Sequence, residues 1–359
     1  MSVLSGIRVL ELAGIGPVPW CGMLLADMGA DIIRIERPGT ASDMQDSTKR
    51  GRTSIELDLK TQEGIETVLK LVAAADVLVE GMRPGSMERL GLSPATCLAA
   101  NPALVFARVT GWGQNGPLAA RAGHDINYIA LSGALHAIGR ERPVPPLNLV
   151  GDYGGGGAFL AIGLLAALLK ARQSGHGDVV DVAMIDGASS LLTLQYGQLA
   201  TGDWRDDRGS NALDGGAPWY DVYDTKDDRY VAVGAMEPQF YEQLLAGLQL
   251  TNDAVPNRAD RANWPAIRKL FAARFAERTR DEWSAIFDET DACVSPVLSM
   301  TEAPCHPHNV ARGTFVSWKG HPVPGAAPRF AGVARAIAGP IKHRTGEQAL
   351  ALWMCSRAG

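Results

Sequence analysis

Through the first half of the chain, short β-branched runs alternate with stretches of helical apolar spacing, and few folds are open to a chain written that way. Ile7 to Leu12 is the first run, ending at Ala13-Gly14-Ile15-Gly16-Pro17. A helical pattern follows from about Pro19 to Met28, stopped by Gly29, and Asp31 to Glu36 is the second strand. This order predicts a right-handed crossover between parallel neighbours. Lys49 to Arg52 reads as a basic loop and Ile55 to Lys60 as an edge strand. Gln62 to Ala75 is an amphipathic helix, while Asp76 to Glu80, Leu104 to Thr110 and Val179 to Met184 are further strands. The expected fold class is α/β: a large doubly wound, Rossmann-like domain with ligands at the carboxyl ends of its strands. The glycine-rich first turn invites a dinucleotide reading. However, Gly14-Ile15-Gly16-Pro17-Val18-Pro19 lacks the third glycine of GxGxxG and carries two prolines, so NAD binding is set aside.

The character changes after a mostly apolar helix at Asp186 to Ala200. Gly202 to Gly216 is rich in Gly, Asp and Arg and reads as an exposed link. Tyr220 to Tyr223 and Tyr230 to Val233 flank Thr225-Lys226-Asp227-Asp228, a hairpin signal. Helical patterns at Pro238 to Leu248, Trp264 to Ala276 and Arg280 to Glu289, then a strand at Cys293 to Leu298, predict a smaller α+β domain. With 359 residues there is chain enough for two cores. The boundaries expected are a large domain over 1–190, a linker over 191–216, the small domain over 217–310, and a segment over 311–359 that wraps back.

Chemistry concentrates between Gly123 and Gly157. The stretch opens with Gly123-His124-Asp125-Ile126-Asn127-Tyr128 and closes with Gly151-Asp152-Tyr153 and four glycines, Gly154 to Gly157. The apolar run Ala158 to Leu169 follows and reads as a buried helix, with the glycines in its first turn. Each glycine costs roughly 1 kcal/mol relative to alanine in a helix interior, which a backbone accepts where something must approach it closely. A helix end without side chains offers N–H donors to an anion or a developing oxyanion, and Gly154 and Gly155 are the candidates. Asp152 reads either as the N-cap of that helix or as a carboxylate held beside an oxyanion site. His124 reads either as a structural loop histidine or as an acid/base group. Arg37, Lys60, Arg83 and Arg89, each at or just after a strand end or the following turn, suit a phosphorylated ligand.

Composition excludes several classes. A net charge of −5 argues against nucleic acid as the main partner. The longest apolar run is too short to span a bilayer, so membrane insertion is not expected. Five cysteines without metal-like spacing, and no visible export signal, point to the cytoplasm. His306-Pro307-His308 lacks companion ligands, so no metal site is expected.

As a set, these fragments resemble the family III CoA-transferase superfamily and, within it, the α-methylacyl-CoA racemases. The likeness is carried by Leu10 to Pro17, Ile35-Glu36-Arg37-Pro38, Leu57-Asp58-Leu59-Lys60, Glu80-Gly81-Met82-Arg83-Pro84-Gly85, Glu88-Arg89-Leu90-Gly91, Thr110 to Gln114, Gly123 to Tyr128 and Gly151 to Gly155. Asp214 to Tyr220 and Gly234 to Tyr241 extend it. The resemblance implies exchange of the (R) and (S) configurations of 2-methylacyl-CoA thioesters through an enolate. No separate cofactor is implied, CoA being part of the substrate. The implied catalytic residues are His124 and Asp152, with Glu237 as a helper carboxylate. CoA contacts are implied for Arg37, Leu57, Asp58, Leu59, Lys60, Gly81, Met82, Arg83 and Arg89, and for backbone at Gly123, Asp125, Ile126, Asn127 and Tyr128. The family fold implies an interlocked homodimer whose sites borrow from both subunits.

Racemisation needs an acid/base group on each side of a planar intermediate, and an imidazole and a carboxyl meet that need. The rival is a family III CoA-transferase with Asp152 as nucleophile; Asp152 suits both, and His124 favours the racemase. A non-catalytic CoA-binding module would leave both residues without purpose. One departure stands out: Leu191 to Gln198 carries none of the methionines expected of the closest racemases, so the acyl group preferred here is expected to be smaller or more polar.

Overall fold

The computed structural model describes residues 2–40, 46–333 and 336–355. Two compact units emerge. The first combines Met1–Ala134, Pro146–Leu192 and Ala311–Gly359; the second combines Leu135–Pro145 with Thr193–Val310.

The first unit is built on β1 (Arg8–Leu12), β2 (Asp31–Glu36), β3 (Arg52–Glu56), β4 (Val77–Glu80), β5 (Val105–Thr110) and β6 (Asp178–Ala183). They lie in the order 3-2-1-4-5-6, all parallel, and Lys342–Arg344 joins outside β3 to complete a seven-stranded sheet. That is the doubly wound order expected, with its reversal between β1 and β4. β1, β2, β4 and β5 are buried along almost their whole length, as strands covered on both faces must be.

Two strand expectations shift. The run read at Ile55 to Lys60 lies at Arg52–Glu56, inside the sheet rather than at its edge, because Lys342–Arg344 covers its outer side. Arg52, expected in a loop, is buried, as are Arg34, Glu11 and Glu36, all joined in one ion network. The C-terminal segment holds more order than its sequence announces. Phe315–Trp318 and His321–Pro324 form a hairpin, and the helix Gly346–Cys355 seats Trp353 in the core with its indole N–H donating to Asp31 at 2.8 Å. Residues 356–359 of the expected wrapping segment lie outside the described residues.

The main correction concerns the glycines. The helix does not start at them but at Leu149, capped by Asn148, and runs through a wide π-wound section, Leu149–Ala158, into Phe159–Ser174. Gly154 and Gly155 are therefore inside a helix, where i→i−5 bonding directs their N–H groups back along the ladder. Their role as a bare oxyanion-binding helix tip falls with that. The glycines serve packing: a Cβ on Gly155 would lie 2.6 Å from the Ala188 nitrogen, and one on Gly187 would lie 2.0 Å from the Gly155 oxygen. The backbones of this helix and of Met184–Leu191 touch. Gly187→Ala is expected to destabilise the unit by about 1–3 kcal/mol or more, since backbone rather than a flexible side chain must move; a urea melt followed by circular dichroism reads it.

The helix Leu149–Ser174 is long and apolar enough to cross a membrane by length and composition. Leu160, Leu164, Ala167, Leu168 and Ala171 nevertheless pack into the sheet's core. The helix read at Asp186 to Ala200 is two, Met184–Leu191 and Thr193–Thr201.

In the second unit, Tyr220–Asp224, Tyr230–Gly234 and Val294–Pro296 form an antiparallel sheet. Pro238–Gly247, Trp264–Phe275 and Arg280–Phe287 cover it around Tyr223, Leu244, Phe271 and Trp283. The hairpin and helices fall where their sequence signals place them.

Candidate active site

His124 and Asp152, 28 positions apart in the chain, line one cavity of about 310 Å3 in the first unit. Its walls include Gly81–Arg83 after β4, Gly111 and Trp112 after β5, and Ile15–Val18 at the start of the helix Pro17–Asp27.

His124 is extended (φ −131°, ψ 173°) and caps the helix Asp125–Leu131. Its N–H donates to Asn127 Oδ1 at 3.0 Å, and its carbonyl accepts from the Asn127 and Tyr128 N–H groups at 2.8 and 3.3 Å. The Tyr128 hydroxyl donates to the Gly123 carbonyl, and its ring meets Trp112 edge-on at 4.8 Å. Backbone and neighbours on both sides thus hold the residue that carries the imidazole.

Asp152 lies in the first turn of the π section and is not an N-cap, because Asn148 occupies that place. Its carboxylate is free to face the cavity. Asn148 Nδ2 donates to Asp152 Oδ2 at 3.2 Å, and the Asp152 N–H donates to Asp125 Oδ1 at 2.7 Å. A Cβ on Gly16, whose φ of +65° already favours glycine, would lie 3.0 Å from Asp152 Oδ2 and crowd the carboxylate. Burial raises the Asp152 pKa above the ordinary aspartate value. The Asp125 charge adds to the rise, while Asn148 and His124 act against it.

A second cavity of about 630 Å3 opens at the carboxyl ends of β1, β2 and β3. It gathers Arg37, Leu57, Asp58, Leu59, Lys60 and Met82, six of the expected CoA contacts. Met82 lines both cavities, with Gly81 and Arg83 beside it in the first, so the two adjoin at that turn. The turn at Met82 is tied down from below: its N–H donates to buried Glu80 at 2.6 Å, and Arg108 donates to the same carboxylate at 2.9 Å. Burial raises the Glu80 pKa above the usual carboxylate range.

Other expected residues stand apart. Arg89 donates to Ser86 at 2.9 Å and lines neither cavity. Gly123 and Tyr128 line the first cavity; Asp125, Ile126 and Asn127 do not. Glu237 belongs to the second unit, where it caps the helix Pro238–Gly247. Among the described residues no group of three His, Cys, Asp or Glu side chains is arranged to hold a metal.

Sequence reading missed Ile15, Arg121 and Asn148. Asn148 was discoverable, since a helix begun at Leu149 puts it one turn before Asp152. Nothing local marks Arg121.

From residue 4 to residue 341 the chain matches the model of CoA-transferase family III. It is similar to the alpha-methylacyl-CoA racemase of Mus musculus, with 47% identity over 328 residues, which are 91% of this chain and 85% of the relative. The alpha-methylacyl-CoA racemase of Homo sapiens is 46% identical over 316 residues, 88% of this chain and 82% of the relative. Among solved structures, a CAIB/BAIF family protein from Brucella suis superposes with a TM-score of 0.83 at 26% identity, covering 98% of both chains.

Proposed function

The chain belongs to CoA-transferase family III, and from that premise we propose that it is an isomerase, interconverting (R)- and (S)-2-methylacyl-CoA thioesters by proton transfer at the α-carbon. One observation carries the reading: an imidazole and a raised-pKa carboxyl, drawn from separate elements, line a single cavity that shares Met82 with the groove gathering Arg37 and Lys60. The similarity to the two mammalian racemases supports it.

In one direction the His124 imidazole takes the α-proton, leaving a planar enolate, and the Asp152 carboxyl delivers a proton to the opposite face; in the other the roles exchange. No atom is gained or lost, and the reaction as proposed needs no metal or redox cofactor. An α-proton beside a thioester is far less acidic than either group, so the enolate oxygen requires donors as charge develops. Gly154 and Gly155 are inside a helix, so their N–H groups do not supply those donors. Glu237 is the proposed carboxylate partner of His124. We further propose that the protein works as an interlocked homodimer, and the free thiols of Cys21, Cys97, Cys293 and Cys305 support a cytoplasmic setting.

Incubating the protein in deuterated water with a single enantiomer of a 2-methylacyl-CoA tests the reading. Deuterium entering at the α-carbon, with the other enantiomer appearing, is the expected result. CoA moving to an added free acid without α-exchange would instead assign Asp152 as a transferase nucleophile.

The groove makes a separate prediction. Arg37→Ala and Lys60→Ala each remove one charged donor from the CoA side, so each is expected to raise KM by about 10-fold with kcat nearly constant. Initial rates across an acyl-CoA concentration series separate the two parameters.

A further inference from the structure

Asp125 is buried, at 6% exposure, and its carboxylate points away from solvent toward the turn that carries Asp152. Oδ1 accepts the Asp152 N–H at 2.7 Å, while Oδ2 has no hydrogen-bond partner among the described residues. A buried carboxylate with one oxygen unsatisfied is costly and persists where something else requires it. The facing wall is shaped for it: a Cβ on Gly151 would lie 2.5 Å from Asp125 Oδ1, so only glycine leaves that oxygen its place. Asp125 is also the first residue of the helix that His124 caps. One residue therefore adjoins His124 through the chain and Asp152 through a hydrogen bond spanning 27 positions.

We infer that Asp125 is a positioning residue of the isomerisation, its carboxylate locking the Asp152 turn at a fixed separation from His124 and holding a negative charge against the Asp152 carboxyl. The inference deepens the racemase reading and rests on it. The lock acts on geometry, because a donor on the backbone of Asp152 sets where its side chain starts. The charge acts on protonation. Asp152 is faced by Asp125, His124 and Tyr128 from the helix Asp125–Leu131 and its cap, and by Asn148 on its own helix, with Arg83 and Arg121 lining the same cavity. Asp125 is the one anionic neighbour in that set, and it works with burial to keep Asp152 protonated to higher pH.

Two substitutions separate the effects. Asp125→Asn retains an oxygen that accepts the Asp152 N–H and removes the charge. The limb of the pH–kcat profile that reports Asp152 is expected to move to lower pH. Asp125→Ala removes the acceptor, and kcat is expected to fall by about 10- to 100-fold with KM within about threefold, the size of effect a displaced acid/base group produces. Gly151→Ala, which crowds the same oxygen from the other side, is expected to reproduce that kcat loss, and it replaces the alanine variant should circular dichroism show the latter unfolded. A pH limb of Asp125→Asn coinciding with that of the parent protein, or an alanine variant retaining parental kcat, would overturn the inference. Parent protein that exchanges its α-proton while these variants behave as parent defeats the positioning role alone. Parent protein that exchanges none defeats the racemase reading and this inference together.

Discussion

Replacing His124 with asparagine, and separately Asp152 with asparagine, is expected to lower racemisation by about 10³-fold in each case, the scale of one general acid or base. The two losses should differ in kind. With His124 gone, Asp152 still reaches the enantiomer whose α-proton faces it, and can return solvent deuterium to the same side. That enantiomer should exchange with retention of configuration, and its mirror image should be inert. The asparagine at position 152 should reverse the pattern. Proton NMR of each enantiomer in deuterated water, with chiral separation of the recovered acids, reads both outcomes. Exchange of both enantiomers by either variant would mean that a single group serves both faces. Full dependence on Asp152 with indifference to His124 would point to the nucleophilic chemistry of the transferases.

The second large effect is on stability. Glu11 on β1 lies between two arginines: its Oε1 accepts from Arg34, and its Oε2 accepts from Arg52 at 3.0 Å. Arg34 continues to Glu36 at 2.9 Å, and Ser54 donates to Glu36 at 2.7 Å. Arg52 adds bonds to the Thr48 and Arg50 carbonyls, both at 2.8 Å. Every charged member of the chain Arg52–Glu11–Arg34–Glu36 is at most 3% exposed. Glu11→Ala leaves two guanidinium groups without their shared carboxylate in a dry interior, and is expected to cost about 3–5 kcal/mol. That is a fifth or more of the stability of a typical domain, about 5–15 kcal/mol. A urea titration followed by tryptophan fluorescence should show the midpoint fall. Replacing Glu11, Arg34 and Arg52 together by apolar residues of similar volume should recover much of the loss, because the penalty comes from orphaned charge and not from the absence of ion pairs.

That network explains one limit of sequence reading. β1, β2, β4 and β5 are visible in the chain because apolar, β-branched runs of four to six residues are what a covered parallel strand requires, and β6 is visible by its β-branched run although it lies at the sheet's end. β3 starts three residues before the run its sequence announces, because Arg52 and Ser54 look solvent-facing. Only contact with Glu11 and Glu36, brought from two other strands, makes them interior. Similarly, a glycine run has low helix propensity and reads locally as a boundary. Whether it is an end or the middle of a helix depends on Gly187, 32 positions beyond Gly155, whose backbone lies against it.

The sequence by itself determined the alternation of strand and helix, the doubly wound class that this alternation implies, and the two residue types that carry the proposed chemistry. These are local or periodic properties, set by side-chain shape and by burial of every face of a central strand. The tertiary structure alone decided that His124 and Asp152 share a cavity, that Met82 lines both it and the groove of Arg37 and Lys60, and that Asp125 grips the turn of Asp152. Those facts depend on contacts between residues tens of positions apart, and no local preference of the chain encodes which distant partner closes a hydrogen bond or forces a glycine.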